Sequence, residues 1–221
     1  MKVVLLPGMD GGAALLRPFR RALALPSVVH GYSPTRPEPY EDLLADVRRR
    51  VVSTQEPVAV VAESFSGPLA IELAARPPPG LCAVVLVATF AESPRPRALG
   101  SLVGPWLFRR PPPAMVVRRL LLDEAADPAM VSAVQAAVGR CSPVVLASRL
   151  RAVLHVDVRE ALARAALPGL VLHGTRDRLV PRPPKAPAHW ERDAVEGPHL
   201  LLQARAEDAA QRIARFLAPY G

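Results

Sequence analysis

Little in this chain could staple it or anchor it. Cysteine occurs twice, at Cys82 and Cys141, and neither has a second ligand at metal-binding spacing. That argues against a disulfide framework or a structural metal centre and leaves two free thiols as the expectation. No apolar run approaches the roughly 20 residues that cross a bilayer, because Arg or Pro interrupts the longer ones. The opening Met1-Lys2-Val3-Val4-Leu5-Leu6 runs at once into Pro7-Gly8. It is too short for a signal peptide and lacks a small-residue cleavage site, so the cytoplasm is the expected location. Aromatics are scarce, with five Phe, three Tyr and two Trp, and lysine is scarcer, 2 against 26 Arg in a net charge of +8. Arginine of that kind, beside much Ala and Pro, follows from GC-rich coding whatever the function. No aromatic-rich basic stripe accompanies it, so nucleic acid is not an expected partner.

What is present is a patterned core. A chain of 221 residues suits one domain and buries roughly 70% of its unfolded surface without help from metal or disulfide. Residues 2–6 form an apolar run stopped by Pro7-Gly8, as expected of a strand buried on both faces. Leu15, Leu16, Phe19 and Leu23 recur at helical spacing, with Arg17, Arg20 and Arg21 left for solvent. Ser27-Val28-Val29 is a brief second strand. Residues 40–53 carry Leu43, Leu44, Val47 and Val51 on one helical face, and strands follow at 58–61 and 83–87 with a helix over 65–76 between them. Alternation resumes at Gly169-Leu170-Val171-Leu172-His173, then a short strand over 190–195 and a helix over 204–217. Strands separated by helices imply a parallel sheet with right-handed crossovers. Between residues 91 and 160 lies an insertion read as helices separated by proline-rich turns, with Asp127-Pro128 and Ser142-Pro143 as N-cap and first-turn proline.

Three segments carry chemistry. In Val60-Val61-Ala62-Glu63-Ser64-Phe65-Ser66-Gly67 an apolar strand runs straight into a helix, holding Ser64 at the turn, where helix-terminal N–H groups favour developing negative charge. Ala62 and Ser66 are the small residues two positions to either side, where strand and helix approach closely. A plain serine N-cap on a crossover helix is the alternative. In Leu170 to Pro181 a buried strand and tight turn place Asp177 just past the strand, either as a functional acid or as the cap of its own turn. Val195-Glu196-Gly197-Pro198-His199 sets a histidine on a Gly-Pro turn before the last helix. A serine hydroxyl is a poor nucleophile until a base takes its proton and a third group fixes that base's tautomer.

Together these segments resemble the α/β-hydrolase superfamily, and within it the carboxylesterase-like serine hydrolases. The Ser64 turn resembles the G-x-S-x-G nucleophile elbow with both glycines replaced, by Ala62 and Ser66. The family order is Ser, then Asp or Glu, then His. Ser64, Asp177 and His199 comply, whereas His173 stands before the turn glycine, His30 ends a strand, and His155 and His189 lack a motif. Leu5 to Gly12 resembles the family's oxyanion loop with Pro7 in the histidine's place, which assigns the two backbone N–H donors to Met9 and Phe65. No Walker lysine or dinucleotide spacing accompanies those glycines.

The resemblance implies an α/β fold with a doubly wound, mostly parallel sheet of about six strands, a reduced core starting at the family's third strand. Residues 1–221 would form one domain and residues 91–160 a helical cap, with Trp106, Leu107, Phe108, Met115 and Leu120 to Leu122 lining an acyl pocket. It implies cleavage of a small-molecule carboxylic ester through an acyl-enzyme, with no metal and no cofactor. A thioester, or a methyl ester on an acidic acyl carrier protein docked against the arginine-rich cap, would use the same machinery. A non-catalytic ligand-binding protein of this fold is the alternative from another class, and dehalogenation, which needs a carboxylate nucleophile, is disfavoured.

Overall fold

Every strand in the computed structural model, which describes residues 1–221, runs parallel to its neighbours. The chain opens with β1 (Lys2–Leu6), α1 (Arg17–Leu23), β2 (Ser27–Val29), α2 (Tyr40–Val52), β3 (Val58–Glu63), α3 (Gly67–Ala75) and β4 (Leu81–Val87). The insertion supplies α4 (Ala114–Val116), α5 (Pro128–Gly139) and α6 (Pro143–His155), after which α7 (Arg159–Ala163) returns to the core. The chain closes with β5 (Gly169–Gly174), β6 (Glu191–Val195), α8 (Leu201–Ala204) and α9 (Ala206–Leu217). The six-stranded sheet has the order β2-β1-β3-β4-β5-β6, as expected for a doubly wound sheet.

Side-chain alternation along the strands divides the core into two layers. Val4, Leu6, Val58, Val60, Ala62, Val84 and Leu86 face α2, α3 and α7. Val3, Leu5, Ala59, Val61, Ala83, Val85 and Val87 face α1 and α9, meeting Phe19, Leu23, Ile213 and Leu217. Each large apolar side chain so enclosed contributes about 1.5–3 kcal/mol, which makes the helical stripes on both faces the main source of stability.

The strand order reverses between β1 and β3. In an open parallel sheet the crevice at such a switch point, beyond the C-terminal strand ends, is the place for a ligand. Leu6 pairs with Ala62 there, so the loop after β1 and the Ser64 turn after β3 leave the sheet side by side.

The two ends of the insertion close on each other through an antiparallel bridge between Glu92 and Asp157. Its second half matches the expected helices, and both caps form: Asp127 Oδ1 accepts from Ala129 N–H at 2.8 Å and Ser142 Oγ from Val145 N–H at 3.2 Å. Its first half differs. Instead of helices, Arg97–Leu102 and Pro105–Phe108 form 3-10 turns, and α4 is one turn that widens into a π-turn over Val117–Leu121. Pro94, Pro96, Pro105 and the run Pro111-Pro112-Pro113 explain this, since each removes an N–H and stops helix propagation. No single helix is long and apolar enough to cross a membrane.

Candidate active site

Strand β3 delivers Ser64 with φ of 49°, the left-handed region that costs a side-chain-bearing residue about 1–2 kcal/mol. The neighbourhood holds this conformation. Thr89, just past β4, donates from Oγ1 to the Ser64 carbonyl at 2.5 Å. The same threonine packs on Gly67, where any Cβ would collide with it. Gly67, one residue beyond Ser66, is therefore a third position at this turn with no space for a larger side chain. Ala62 and Ser66 are fully buried, and Ser66 does more than stay small. Its hydroxyl donates to the Pro7 carbonyl, so its oxygen accepts from Tyr32 OH at 2.6 Å. Burial pushes the Tyr32 phenol far up, keeping it protonated for that bond.

The three segments named from sequence meet. His199 Nε2 lies 2.9 Å from Ser64 Oγ, and His199 Nδ1 lies 2.8 Å from Asp177 Oδ2. Both His199 and Asp177 are buried. Asp177 Oδ1 accepts from the N–H groups of Leu179 and Val180 at 2.9 and 2.7 Å. The carboxylate therefore caps its own turn with one oxygen and bonds to the histidine with the other. The Asp177 and His199 turns are laced by Arg176 N–H to Gly197 O at 3.0 Å and Thr175 N–H to Val195 O at 2.9 Å. A Cβ at Gly174 would run into the Gly197 and Pro198 carbonyls. None of His30, His155, His173 and His189 bonds to Ser64 or Asp177; His155 Nδ1 instead lies 2.8 Å from the Arg151 carbonyl.

The Ser66–Pro7 bond holds the loop after β1 against the Ser64 turn, two residues before Met9. The Met9 N–H lies outside any helix or strand and donates to no acceptor in the chain. Phe65 is clamped from several sides: its ring stacks on Tyr40 at 4.9 Å, and Tyr40 OH donates to its carbonyl at 2.8 Å. Sequence reasoning missed the residue that fixes this corner. Arg149 of α6 is 3% exposed and donates to the Met9 and Ser33 carbonyls, each at 2.9 Å, with its guanidinium over the Tyr32 and Phe65 rings. Burial raises the nearby Asp10 carboxyl, while the Gly12 N–H and the Arg149 charge lower it.

The insertion touches each part of the site. Besides Arg149, Leu200, next to His199, donates its N–H to Leu121 O at 2.9 Å. Arg176, next to Asp177, pairs with Asp123 at 2.8 Å and holds that carboxyl below the usual range. Leu122 packs beneath with Leu15, Val131 and Leu200. Of the residues expected to line a pocket, Trp106, Leu107 and Met115 are exposed and Leu122 is buried. A cleft of about 850 Å³ lined by Glu72, Arg97, Asp157, Arg159 and Arg164 contains no site residue, and its charged lining is unlike an acyl pocket. No group of three or more His, Cys, Asp or Glu side chains is placed to hold a metal ion.

A buried acid and a histidine lined up on a strained serine invite comparison with known proteins. No curated protein matches the chain. Solved structures that match share the fold at low identity. A thermophilic esterase from Thermogutta terrifontis, malate bound, has a TM-score of 0.82 and 17% identity, over 99% of this chain and 90% of that one. A bromoperoxidase from Bacillus anthracis has 0.80 and 15%, over 98% and 91%. The enol-lactonase from Burkholderia xenovorans LB400 has 0.69 and 18%, over 98% and 91%. The family model described as serine aminopeptidase, S33, matches residues 30–207. That span covers most of the chain, including the Ser64, Asp177 and His199 turns, and the chain belongs to this serine aminopeptidase S33 family of α/β-hydrolases.

Proposed function

We propose that the chain cleaves carboxylic esters through an acyl-enzyme, with Ser64 as nucleophile, His199 as general base and Asp177 as the acid that orients it. One observation carries the reading: the unbroken hydrogen-bonded run from Ser64 Oγ through both His199 nitrogens to Asp177 Oδ2, at 2.9 and 2.8 Å. A carboxylate at Asp177 keeps the proton on Nδ1, leaving Nε2 bare to take the Ser64 proton. Ser64 Oγ then bonds to the carbonyl carbon, and the carbonyl electron pair moves onto oxygen, where the Met9 and Phe65 N–H groups receive it. The imidazolium protonates the departing alcohol. Water, losing its proton to His199, attacks the acyl carbon and releases the acid, restoring Ser64.

The neighbours described as an esterase and an enol-lactonase support an ester over an amide. The insertion over 91–160 acts as the cap that sets acyl preference, consistent with its bonds to all three site segments. A panel of p-nitrophenyl esters of rising acyl length, beside amino-acid p-nitroanilides, tests the reading. Ester turnover with one preferred length and intact anilides is expected. Anilide cleavage with inert esters would overturn it.

A second reading, an ester or thioester presented by an acidic acyl carrier protein, is favoured by the outer face of the insertion. Leu102, Trp106 and Met115 are 67%, 61% and 72% exposed. The guanidinium groups of Arg109, Arg110 and Arg119 make no hydrogen bond or ion pair, whereas Arg118 is tied to the Glu124 and Ala126 carbonyls. Changing those three free arginines to Gln should then slow a carrier-bound substrate in a salt-sensitive way and spare a free ester. Equal, salt-insensitive rates favour the free ester.

A further inference from the structure

Glu63 directly precedes Ser64, and it is one of the most deeply buried charged-type residues in the chain, 2% exposed against the 5% of its partner Gln203. Gln203 Nε2 donates to Glu63 Oε2 at 3.1 Å. The remaining oxygens of the pair, Glu63 Oε1 and Gln203 Oε1, are both buried and both without a partner. With Glu63 as a carboxylate, two buried acceptors of this one bonded pair would stay unsatisfied, which buried polar atoms rarely do. A single proton on Oε1 answers both at once, giving the carboxyl a donor and the amide oxygen an acceptor's partner.

We propose that Glu63 is a neutral carboxylic acid whose Oε1–H donates to Gln203 Oε1, and that this closed acid–amide pair is a positioning device keeping Ser64 in register with His199. The placement suits that task. Glu63 ends β3, one residue before the serine, and Gln203 lies in α8, four residues after the histidine. The carboxyl also abuts the loop after β1, since a Cβ at Gly8 would lie 3.8 Å from Oε2.

The charges around Glu63 work in the same direction. Burial, with a further contribution from the Asp10 carboxyl on the loop after β1, pushes the acid up to about 8 against the lowering effect of the Gln203 bond. Asp10 is itself partly offset by Arg149 from α6, and the Asp177–His199 pair meets the Ser64 turn through the Ser64 hydroxyl. Once Glu63 ionises, Oε1 loses its donor and two acceptors oppose each other beside the nucleophile.

Glu63→Gln separates the roles, because an amide nitrogen replaces the hydroxyl donor and nothing titrates. The kinetic half rests on the ester-hydrolase reading and the stability half does not. Wild-type kcat on p-nitrophenyl butyrate should fall as pH rises through about 8, while E63Q keeps its plateau. The folded acid sits above its ordinary value of 4.5, so wild-type stability is fully present below that value and is lost as pH rises toward 8. The Tm advantage of E63Q should therefore widen across that window and level off above it. Gln203→Met, which removes both partner atoms, should lower kcat about tenfold with KM little changed. Identical kcat–pH profiles for wild type and E63Q, or an unaffected Q203M, would overturn the positioning role. A pH-independent Tm gap would overturn the neutral pair. Wild type inert on every ester at every pH would overturn the hydrolase reading and the positioning role with it, while the Tm gap would still report the state of Glu63.

Discussion

Asp177 and His199 meet through Oδ2 and Nδ1 at 2.8 Å, and the second oxygen of the same carboxylate accepts the Leu179 and Val180 N–H groups. The division makes turn and tautomer separable. In Asp177→Asn the amide oxygen can keep both backbone bonds, while the amide nitrogen presents a donor to Nδ1 and forces the proton onto Nε2. The expected result is a kcat lower by about 10⁴ with nearly unchanged Tm. Asp177→Ala should lose activity and about 1–3 kcal/mol of stability as well, read by urea unfolding.

Ser64 is strained where it stands, with φ of 49°. Ser64→Gly and Ser64→Ala should both abolish turnover, but glycine accepts that backbone and alanine does not. The glycine variant is expected to be the more stable by about 1 kcal/mol in chemical denaturation. Equal stabilities would mean that the turn relaxes once the hydroxyl is gone.

Gly67 has no room for a methyl group against Thr89, and Thr89 holds the Ser64 carbonyl. Gly67→Ala should therefore cost about 1–3 kcal/mol and lower kcat as the turn shifts. Unfolding curves and ester turnover on the same preparation check both effects.

Arg149 reaches two carbonyls with two different guanidinium nitrogens, a planar fork that a single ammonium on a flexible stem does not reproduce. Arg149→Met should cost about 3 kcal/mol and up to about 10²-fold in kcat as the Met9 loop loosens. Arg149→Lys should restore only a small part of either. Loss of stability with intact kcat would show that the loop does not depend on the arginine.

How much of this was legible in the sequence follows from how local each signal is. Strand β3, Ser64 and α3 are contiguous, and the Asp177 and His199 turns each follow a strand, so apolar runs and turn residues marked them. The caps at Asp127 and Ser142 are equally local. Arg149 was hidden because an arginine on a helix reads as solvent-facing, and only the folded insertion turns it onto Met9. Thr89 and Gln203 act across strands and helices distant in sequence, with no motif around either. The insertion reads as helices separated by proline-rich turns, but only its second half carries N-cap signals, and in the front half the prolines leave short 3-10 and one-turn pieces.

Labelling with a fluorophosphonate probe, followed by peptide mapping, tests the central claim most directly. The hydrogen-bonded run from Ser64 to Asp177 predicts stoichiometric labelling on Ser64 that blocks ester turnover, with none in Ser64→Ala and much slower labelling in His199→Ala. A folded wild-type protein that stays unlabelled, or is labelled on another residue while Ser64→Ala still turns over ester, would contradict it.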